Sequence, residues 1–505
     1  GLPLRDDVIY ELQVGTFTEA GTFDAVVDRL DYLADLGVSA LELMPVAQFP
    51  GERNWGYDGV LPFAVQNSYG GPAAMKRLVD AAHRRGMAVV LDVVYNHLGP
   101  EGNYLGEFAP YFTQKYRTPW GPAVNVDDEY SDGVRDYFIQ NALEWVTDYH
   151  IDGLRLDAVH GILDTSAKPF LAELSEAVHG RAAELGREVT LIAESDLNDV
   201  RMIRPTAQGG MGMDAQWMDD FHHALHALLT REDTGYYADY GGLQDFATAL
   251  RRGYVFTGDY SEFRKRRHGN SPDGARAEQF VVCIQNHDQV GNRMMGDRLA
   301  GITDFERQKL AAACVLASPY IPLLFMGEEY GERRPFPYFI QHSDENLVAA
   351  VRLGRKQEFA AFSWSAEPPD PAAHATFETA IIEPLAEVDQ QQRALFALYR
   401  ELIALRKQHQ LGPGAREARE VCELRAQHTI VVRRQAAVAV FCFAETAQPV
   451  TLPLPSGSWY KGLCTASTQW RGPGDGIPDR LVASDSMELV VPPTSAVLFL
   501  SSDKE

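Results

Sequence analysis

From Val8 to Phe325 the chain alternates short apolar runs with amphipathic helical stretches, a pattern that admits few folds. Val8 to Val14 reads as a strand. Thr22 then caps a helix whose apolar positions, Phe23, Val26, Val27, Leu30 and Leu33, recur every three or four residues and end at Gly37. Ala40 to Val46 is a second apolar run. The next helix carries Pro72 in its first turn, an inner stripe of Met75, Leu78, Val79 and Ala82, and a stop at Gly86. Met87 to Val94 is apolar throughout, as a parallel strand covered on both faces must be. Further runs near Asp152 to Leu156, Thr190 to Ala193, Asp214 to Trp217, Phe280 to Ile284 and Ile321 to Phe325 bring the strands to eight. A doubly wound open sheet would carry a glycine-rich phosphate turn after its first strand, whereas Gln13-Val14-Gly15-Thr16-Phe17 has one glycine. The pattern therefore predicts a closed (β/α)8 barrel.

The 505 residues exceed one simple core and suit a barrel with at least one more domain. His97 to Tyr130, roughly, is too long for a routine βα connection and predicts an inserted lobe over the active face, at about 97–130. Arg333 to Pro384 reads as an irregular stretch rich in proline and aromatics, and Gln390 to His409 as a long closing helix. From Leu411 the pattern changes to short alternating runs, including Thr429 to Arg433, Ala437 to Phe443, Val450 to Leu454 and Leu489 to Leu500. These predict a C-terminal all-β sandwich over 411–505, after a catalytic barrel over 1–410.

Seventy acidic against 46 basic residues give a formal charge of -24, which argues against nucleic acid as a partner and is compatible with a neutral ligand. Five cysteines, an odd number without a C-x-x-C pair, suit a reducing compartment. The start, Gly1-Leu2-Pro3-Leu4-Arg5, lacks the pattern of a secretory signal, and no continuous apolar run is long enough to span a bilayer. The expected setting is cytoplasmic, away from membranes. The absence of an initiator methionine and the nearly immediate first strand suggest that an upstream segment has been trimmed.

Three segments carry the chemistry. Gly153-Leu154-Arg155-Leu156-Asp157, Leu191-Ile192-Ala193-Glu194 and Ile284-Gln285-Asn286-His287-Asp288 each place an acid just after an apolar run. In a (β/α)8 barrel the C-terminal strand ends line the active face. The ordered trio Asp, Glu, Asp, with an Arg two residues before the first and a His just before the last, resembles the catalytic machinery of the α-amylase superfamily, glycoside hydrolase family 13. The resemblance implies cleavage of an α-glucosidic bond. Retaining hydrolysis of such a bond needs a nucleophile and a general acid/base, about 5–5.5 Å apart. Asp157 suits the nucleophile because Arg155, two residues earlier on a strand, shares its face and can hold it ionised. Glu194 suits the acid, since partial burial favours its protonated form. Asp288 would grip sugar hydroxyls and stabilise developing positive charge. The resemblance assigns the same three roles.

Leu91-Asp92-Val93-Val94-Tyr95-Asn96-His97 is a fourth matching segment, in which Asp92 braces Arg155 and His97 donates to a sugar hydroxyl in the family pattern. Asn54-Trp55-Gly56-Tyr57-Asp58 resembles the family segment whose tyrosine stacks on the sugar, which makes Tyr57 a platform and Trp55 a weaker one. His287 is expected to bond the same sugar from the other side. Asn96 matches a calcium-ligating position of many amylases, but one amide oxygen does not make a site, so neither metal nor cofactor is expected.

Asp214-Ala215-Gln216-Trp217-Met218-Asp219-Asp220-Phe221-His222-His223-Ala224-Leu225-His226 is similar to a segment of the maltooligosyltrehalose trehalohydrolases. So are Tyr95 to Tyr104, Thr118-Pro119-Trp120-Gly121 and Gly354-Arg355-Lys356-Gln357-Glu358-Phe359. The crowding of Asp220, His222 and His223 matches no zinc spacing. With these histidines on a strand or irregular loop, sugar hydroxyls are the expected partners of Asp220 and His223. Many amylases follow the nucleophile with a Lys-His pair. This chain has Asp157-Ala158-Val159-His160, which suggests a different leaving-group site including His160. The β-sandwich that commonly precedes the barrel in trehalohydrolases is absent from this sequence. The resemblance implies a small-molecule partner, maltooligosyltrehalose, and a pathway shared with the synthase that makes it, without implying contact with that synthase. An α-glucan branching enzyme or other amylase-type glycosidase is the alternative; a non-catalytic glycan-binding barrel has no need of all three carboxylates.

Overall fold

Eight parallel strands close into a barrel in the computed structural model, which describes residues 3–358, 367–384, 386–413, 420–434 and 436–502. They are β1 (Ile9–Leu12), β2 (Ala40–Leu43), β3 (Ala88–Val93), β4 (Gly153–Leu156), β5 (Thr190–Ala193), β6 (Ala215–Trp217), β7 (Phe280–Val282) and β8 (Ile321–Phe325), each beside its neighbours in sequence. All eight expected strands are present. Contacts divide the chain into two compact units. One comprises Gly1–Trp217, His287–Asp297 and Arg334–Ile382, the other Met218–Asn286, Arg298–Arg333 and Glu383–Glu505.

Within the first unit, the helix expected after Thr22 forms in two pieces, Phe23–Val27 and Leu30–Leu36. Thr22 accepts from the Ala25 amide at 3.3 Å, and Gly37 ends the second piece at φ 100°, where a side chain would be strained. Between them the Arg29 amide bonds to Val26, three residues back, which tightens the turn and breaks the α-helical ladder. Phe23, Val26, Leu30 and Leu33 stay on one buried side. The lobe after β3 holds a turn of helix, Leu105–Phe108, and a hairpin of Phe112–Thr118 with Gly121–Val124. Arg333 to Pro384 is less irregular than its proline and aromatic content implied, since Glu345–Glu358 and His374–Ala380 are helices. The first is built from strong helix formers without a wide apolar stripe, so propensity rather than amphipathicity marks it. Phe359 lies outside the described residues.

In the second unit, the segment beyond β6 is a helix, Asp219–Thr230, not a strand or loop. Asp219 and Asp220 occupy its first turn, where negative charge meets the helix dipole favourably. The C-terminal strands form a six-stranded antiparallel sheet in the order Glu420–Leu424, Thr429–Arg433, Ala437–Cys442, Ser495–Ser501, Gly457–Cys464, Arg480–Ala483. A two-stranded sheet pairs Gln448–Leu452 with Met487–Val491. Val440, Trp459 and Phe499 from the larger sheet and Leu452 and Val491 from the smaller share one core, as in a sandwich. The run expected from Leu489 to Leu500 is thus two strands, separated at Pro492 and Pro493, which have no amide to give a ladder. Buried Lys309, on the helix Phe305–Leu316, donates to the carbonyls of Thr465 at 2.8 Å and Trp470 at 3.2 Å. Among the described residues no helix is long and apolar enough to cross a membrane.

Candidate active site

Parallel pairing decides which side chains share the barrel interior. Glu11 on β1 lies opposite Glu42 on β2, and Glu42 opposite Val90 on β3. Asp92, two residues beyond Val90, lies opposite Arg155 on β4, which is opposite Ile192 on β5, itself opposite Ala215 on β6. The two-residue strand period carries Asp157, Glu194 and Trp217 to the same face one step nearer the C-terminal ends.

Arg155 is the hub. Its Nη1 donates to Asp92 Oδ1 at 2.9 Å, to Asp92 Oδ2 at 2.8 Å and to Asp157 Oδ1 at 2.9 Å. Its Nη2 stands 3.8 Å from Glu194 Oε2 and 3.7 Å from Asp288 Oδ2. The three carboxylates of the sequence reading therefore surround one cation. Burial works against the guanidinium charge, but the surrounding acidic groups, led by Asp92, more than offset it, and Arg155 remains cationic. Burial also lifts Asp92, to about 6, against the pull of Arg155, which still leaves it ionised at neutral pH. The Trp217 ring covers the guanidinium with its centroid 4.2 Å away. Arg155 is fully buried, whereas the side chains of Asp157, Glu194 and Asp288 are 11%, 15% and 34% exposed, so the charges emerge toward solvent on the carboxylate side.

Tyr57 is half-buried, its ring stacked on His287 at 5.3 Å, and its hydroxyl donates to Asp92 Oδ2 at 2.6 Å. His97 Nε2 donates to the Tyr57 carbonyl at 3.0 Å, its Nδ1 lies 3.0 Å from Asn96 Oδ1, and Trp120 of the lobe stacks on its ring at 5.1 Å. His287 is fully buried, with Nδ1 against Glu11 and Nε2 2.6 Å from the Tyr57 hydroxyl, so both ring nitrogens face protein. His160 is half-buried in the turn after Asp157, its Nδ1 without a hydrogen-bond partner among the described residues.

Asp220 and His223 belong to the second unit. Asp220 is buried and accepts from the Tyr240 hydroxyl at 2.5 Å and from the amides of Val255 and Phe256 at 2.5 and 3.1 Å. His223, also buried, packs against Tyr236 and Tyr240 with ring centroids 4.7 and 5.2 Å apart. Trp55, expected as a weak sugar platform, is instead 3% exposed; it stacks on Phe336 and donates to the Pro337 carbonyl at 3.2 Å. Gly291 permits that packing, because a β-carbon there would come within 2.0 Å of the indole.

Three features escaped the sequence reading. Glu11 binds His287, Trp217 covers Arg155, and His342 links two of the quoted segments, lying 3.0 Å from Glu101 Oε2 and 3.6 Å from Asp58 Oδ2. A signal existed for the first: Glu11 and Glu42 each interrupt an otherwise apolar strand. Among the described residues no group of three or more His, Cys, Asp or Glu could hold a metal ion.

A closed (β/α)8 barrel with an arginine gathering three carboxylates at its strand ends has the layout of an α-amylase-type catalytic domain. The family model described as "Alpha amylase, catalytic domain" matches residues 11–142. The chain is 45% identical over 467 residues to the malto-oligosyltrehalose trehalohydrolase of Saccharolobus solfataricus, covering 92% of this chain and 80% of that one. It is 49% identical over 419 residues to the enzyme of the same name from Arthrobacter ramosus, with 83% and 73% covered. A Salmonella typhimurium crystal structure, provisionally described as an alpha amylase, superposes with a TM-score of 0.86 at 37% identity, covering 99% of this chain and 83% of that one. The chain belongs to the malto-oligosyltrehalose trehalohydrolase family.

Proposed function

We propose that this chain is a retaining glycosidase that cuts the α-1,4-glucosidic bond next to the terminal trehalose of a maltooligosyltrehalose, releasing trehalose and a shorter maltooligosaccharide. The observation that carries the mechanism is the placing of Arg155 within 4 Å of Asp157, Glu194 and Asp288. Arg155 occupies Asp157 Oδ1, which leaves Oδ2 to attack the anomeric carbon. Glu194 accepts the Ala158 amide on Oε2 and, in its protonated form, gives its proton to the leaving oxygen. Trehalose departs, the glycosyl group is held as an ester on Asp157, and Glu194 then takes a proton from the water that hydrolyses that ester. Asp288 stabilises the positive charge of the flattened ring. The exposed part of the Tyr57 ring packs on the sugar, with Asp92, His97, Arg155 and His287 holding the surrounding frame. His160, just past the nucleophile, serves the trehalose side.

For Asp220 and His223 the partners in the second unit favour support over direct sugar contact. We place the catalytic barrel in 1–410 and the β-sandwich domain in 411–505. The five cysteines are all free, which fits a cytoplasmic enzyme. Its partner is the oligosaccharide, neither nucleic acid nor membrane, and the synthase upstream shares only the pathway.

Incubation with maltooligosyltrehalose and separately with amylose, followed by product analysis, tests the reading. Trehalose release, abolished by Asp157→Asn and mostly lost in Glu194→Gln, is expected. New α-1,6 branches in amylose without trehalose release would make the chain a branching enzyme, and no turnover of either would make it a binding barrel.

A further inference from the structure

Glu11 is 1% exposed on β1, between Tyr10 and Leu12, in the barrel interior. A carboxylate there costs several kcal/mol unless its oxygens are bonded. Both go to one residue: Oε2 accepts the backbone N–H of His287 at 2.9 Å, and Oε1 faces His287 Nδ1. The second ring nitrogen, Nε2, lies 2.6 Å from the Tyr57 hydroxyl oxygen, and that hydroxyl gives its only proton to Asp92 Oδ2 at 2.6 Å. The Nε2 contact is therefore favourable only with a proton on Nε2, and the Nδ1 contact with a carboxylate only with a proton on Nδ1. Asp92 goes on to Arg155, and Arg155 to Asp157. An unbroken run of bonds thus leads from β1 to the nucleophile: Glu11, His287, Tyr57, Asp92, Arg155, Asp157.

We propose that Glu11 is a positioning residue of the glycosidase reaction, holding His287 with a proton on each ring nitrogen so that Tyr57, Asp92 and Arg155 keep Asp157 aimed at the sugar. This rests on the function proposed above. Glu11 touches no substrate; it acts through His287.

The groups around His287 decide how firmly that proton is held. Glu11 faces it from β1, Glu42 from β2, Tyr57 from the loop after β2, Asp92 from β3 and Arg155 from β4. Asp288, its neighbour in sequence, places Oδ1 3.5 Å from Nε2, and Trp217 on β6 and Trp55 add uncharged walls. Burial alone would discharge the ring, and Arg155 works in the same direction. Asp288 and Glu11 outweigh both and raise His287 to about 9. Burial, reinforced by the nearby Glu11 carboxylate, raises Glu42 well above the ordinary carboxyl range.

The test is the pH profile of kcat/KM on maltooligosyltrehalose for the wild type, Glu11→Gln and Glu11→Asp. The neutral amide of Glu11→Gln cannot accept from both His287 donors. Its basic limb is expected to move at least one pH unit toward acid, with a loss of about tenfold or more at pH 8.5 and within about threefold at pH 6. Glu11→Asp keeps the charge, so its basic limb should stay where the wild type has it, even at lower kcat. A loss of equal factor at every pH in Glu11→Gln, or the same acid shift in both variants, overturns the proposal. Nitrogen-15 histidine spectra, with the His287 signals assigned by their loss in His287→Asn, supply a readout apart from turnover. Both ring nitrogens should stay protonated at pH 8 in the wild type and not in Glu11→Gln. Should Glu11→Gln fail to fold, Glu11→Asp and the wild-type spectra decide: a neutral His287 at pH 8 in the wild type, or an acid-shifted Glu11→Asp, sinks the idea. Trehalose release by the wild type with an unmoved Glu11→Gln profile removes Glu11 alone, whereas no release by the wild type removes the function reading.

Discussion

The amide of Ala158 donates to the Glu194 carboxylate, tying the residue after the proposed nucleophile to the proposed acid. Ala158 adopts φ 37° and ψ 53° to do so, a left-handed conformation that costs a non-glycine residue about 1–3 kcal/mol. The same frame is closed by the Glu194 amide on the Leu156 carbonyl and the Val159 amide on the Glu194 carbonyl, both at 3.0 Å. Ala158→Gly should relieve the strain and leave the melting temperature close to wild type. Ala158→Val, with a branched β-carbon in the left-handed region, should cost about 2 kcal/mol or more and lower kcat at least tenfold. Thermal melts and steady-state rates check both. A valine variant as stable and active as the glycine variant would mean that this backbone bond does not constrain the carboxylates.

What was legible in the sequence follows from what a linear pattern encodes. Asp157, Glu194 and Asp288 could be found because each closes an apolar run, and strand ends in a barrel share one face. Arg155 could be assigned to Asp157 because the strand period is two. The burial of His287 was not legible, since its ring is covered by Trp55, Tyr57 and Trp217 from other elements. Glu11 and Glu42 sit within strands rather than at their ends, so attention to strand ends passed over them. Asp220 was placed on a strand margin because Trp217 ends β6 only three residues before it. Phe221, Ala224, Leu225, Leu228 and Leu229 recur at the three- and four-residue spacing of a helix, so the element that follows was legible in the sequence and was passed over.

Asp220 offers a direct test of support against sugar contact. Its carboxylate accepts from Tyr240, Val255 and Phe256, and its removal leaves two amides and a hydroxyl in a buried setting. Asp220→Ala should lose about 2–4 kcal/mol of stability. It should also lower kcat/KM by similar factors on maltooligosyltrehalose and on a plain maltooligosaccharide. Denaturant melts and paired kinetics decide. A variant of wild-type stability with a loss confined to maltooligosyltrehalose would restore Asp220 as a trehalose contact.

Glu42 makes the protein's stability depend on pH. Burial, reinforced by Glu11, raises its carboxyl well above the ordinary 4.5, and neither oxygen has a hydrogen-bond partner among the described residues. The folded state therefore keeps a proton that the unfolded chain releases above about pH 4.5. Stability falls as pH rises from there toward the folded value, by up to about 1.4 kcal/mol per pH unit. Glu42→Gln has no such proton to hold. Its melting temperature should match wild type to within a few degrees at pH 5 and decline less steeply toward pH 9. Parallel melting curves against pH in the two proteins would show that Glu42 is ionised in the fold.

His342 joins loops that are far apart in sequence, and its charge should give that junction a defined pH window. Its Nδ1 lies 3.0 Å from Glu101 Oε2 and its Nε2 3.6 Å from Asp58 Oδ2, with the imidazole side chain only 1% exposed. Asn54 donates to Asp58 at 2.6 Å, and the Ser343 amide and hydroxyl donate to Glu101, so neither carboxylate can turn away without losing other bonds. Burial opposes the imidazolium, but Asp58 and Glu101 more than compensate and raise His342 above its ordinary 6.5. Burial likewise works against Asp58, and its bonds to His342 and Asn54 hold it below 3.8; Glu101 is held below 4.5, first by Ser343. The raised histidine contributes stability that is complete below about pH 6.5 and is lost as pH climbs through its folded value. The lowered carboxylates contribute above about pH 4.5 and lose their share as pH falls through theirs. The junction should therefore be strongest between about pH 4.5 and 6.5. His342→Gln should cost about 2 kcal/mol in that window and progressively less toward pH 9. Melting temperatures of the two proteins across pH 4 to 9 provide the check. A difference that stays constant from pH 5 to 9 would show that His342 serves this junction as a neutral hydrogen-bonding group instead of a cation.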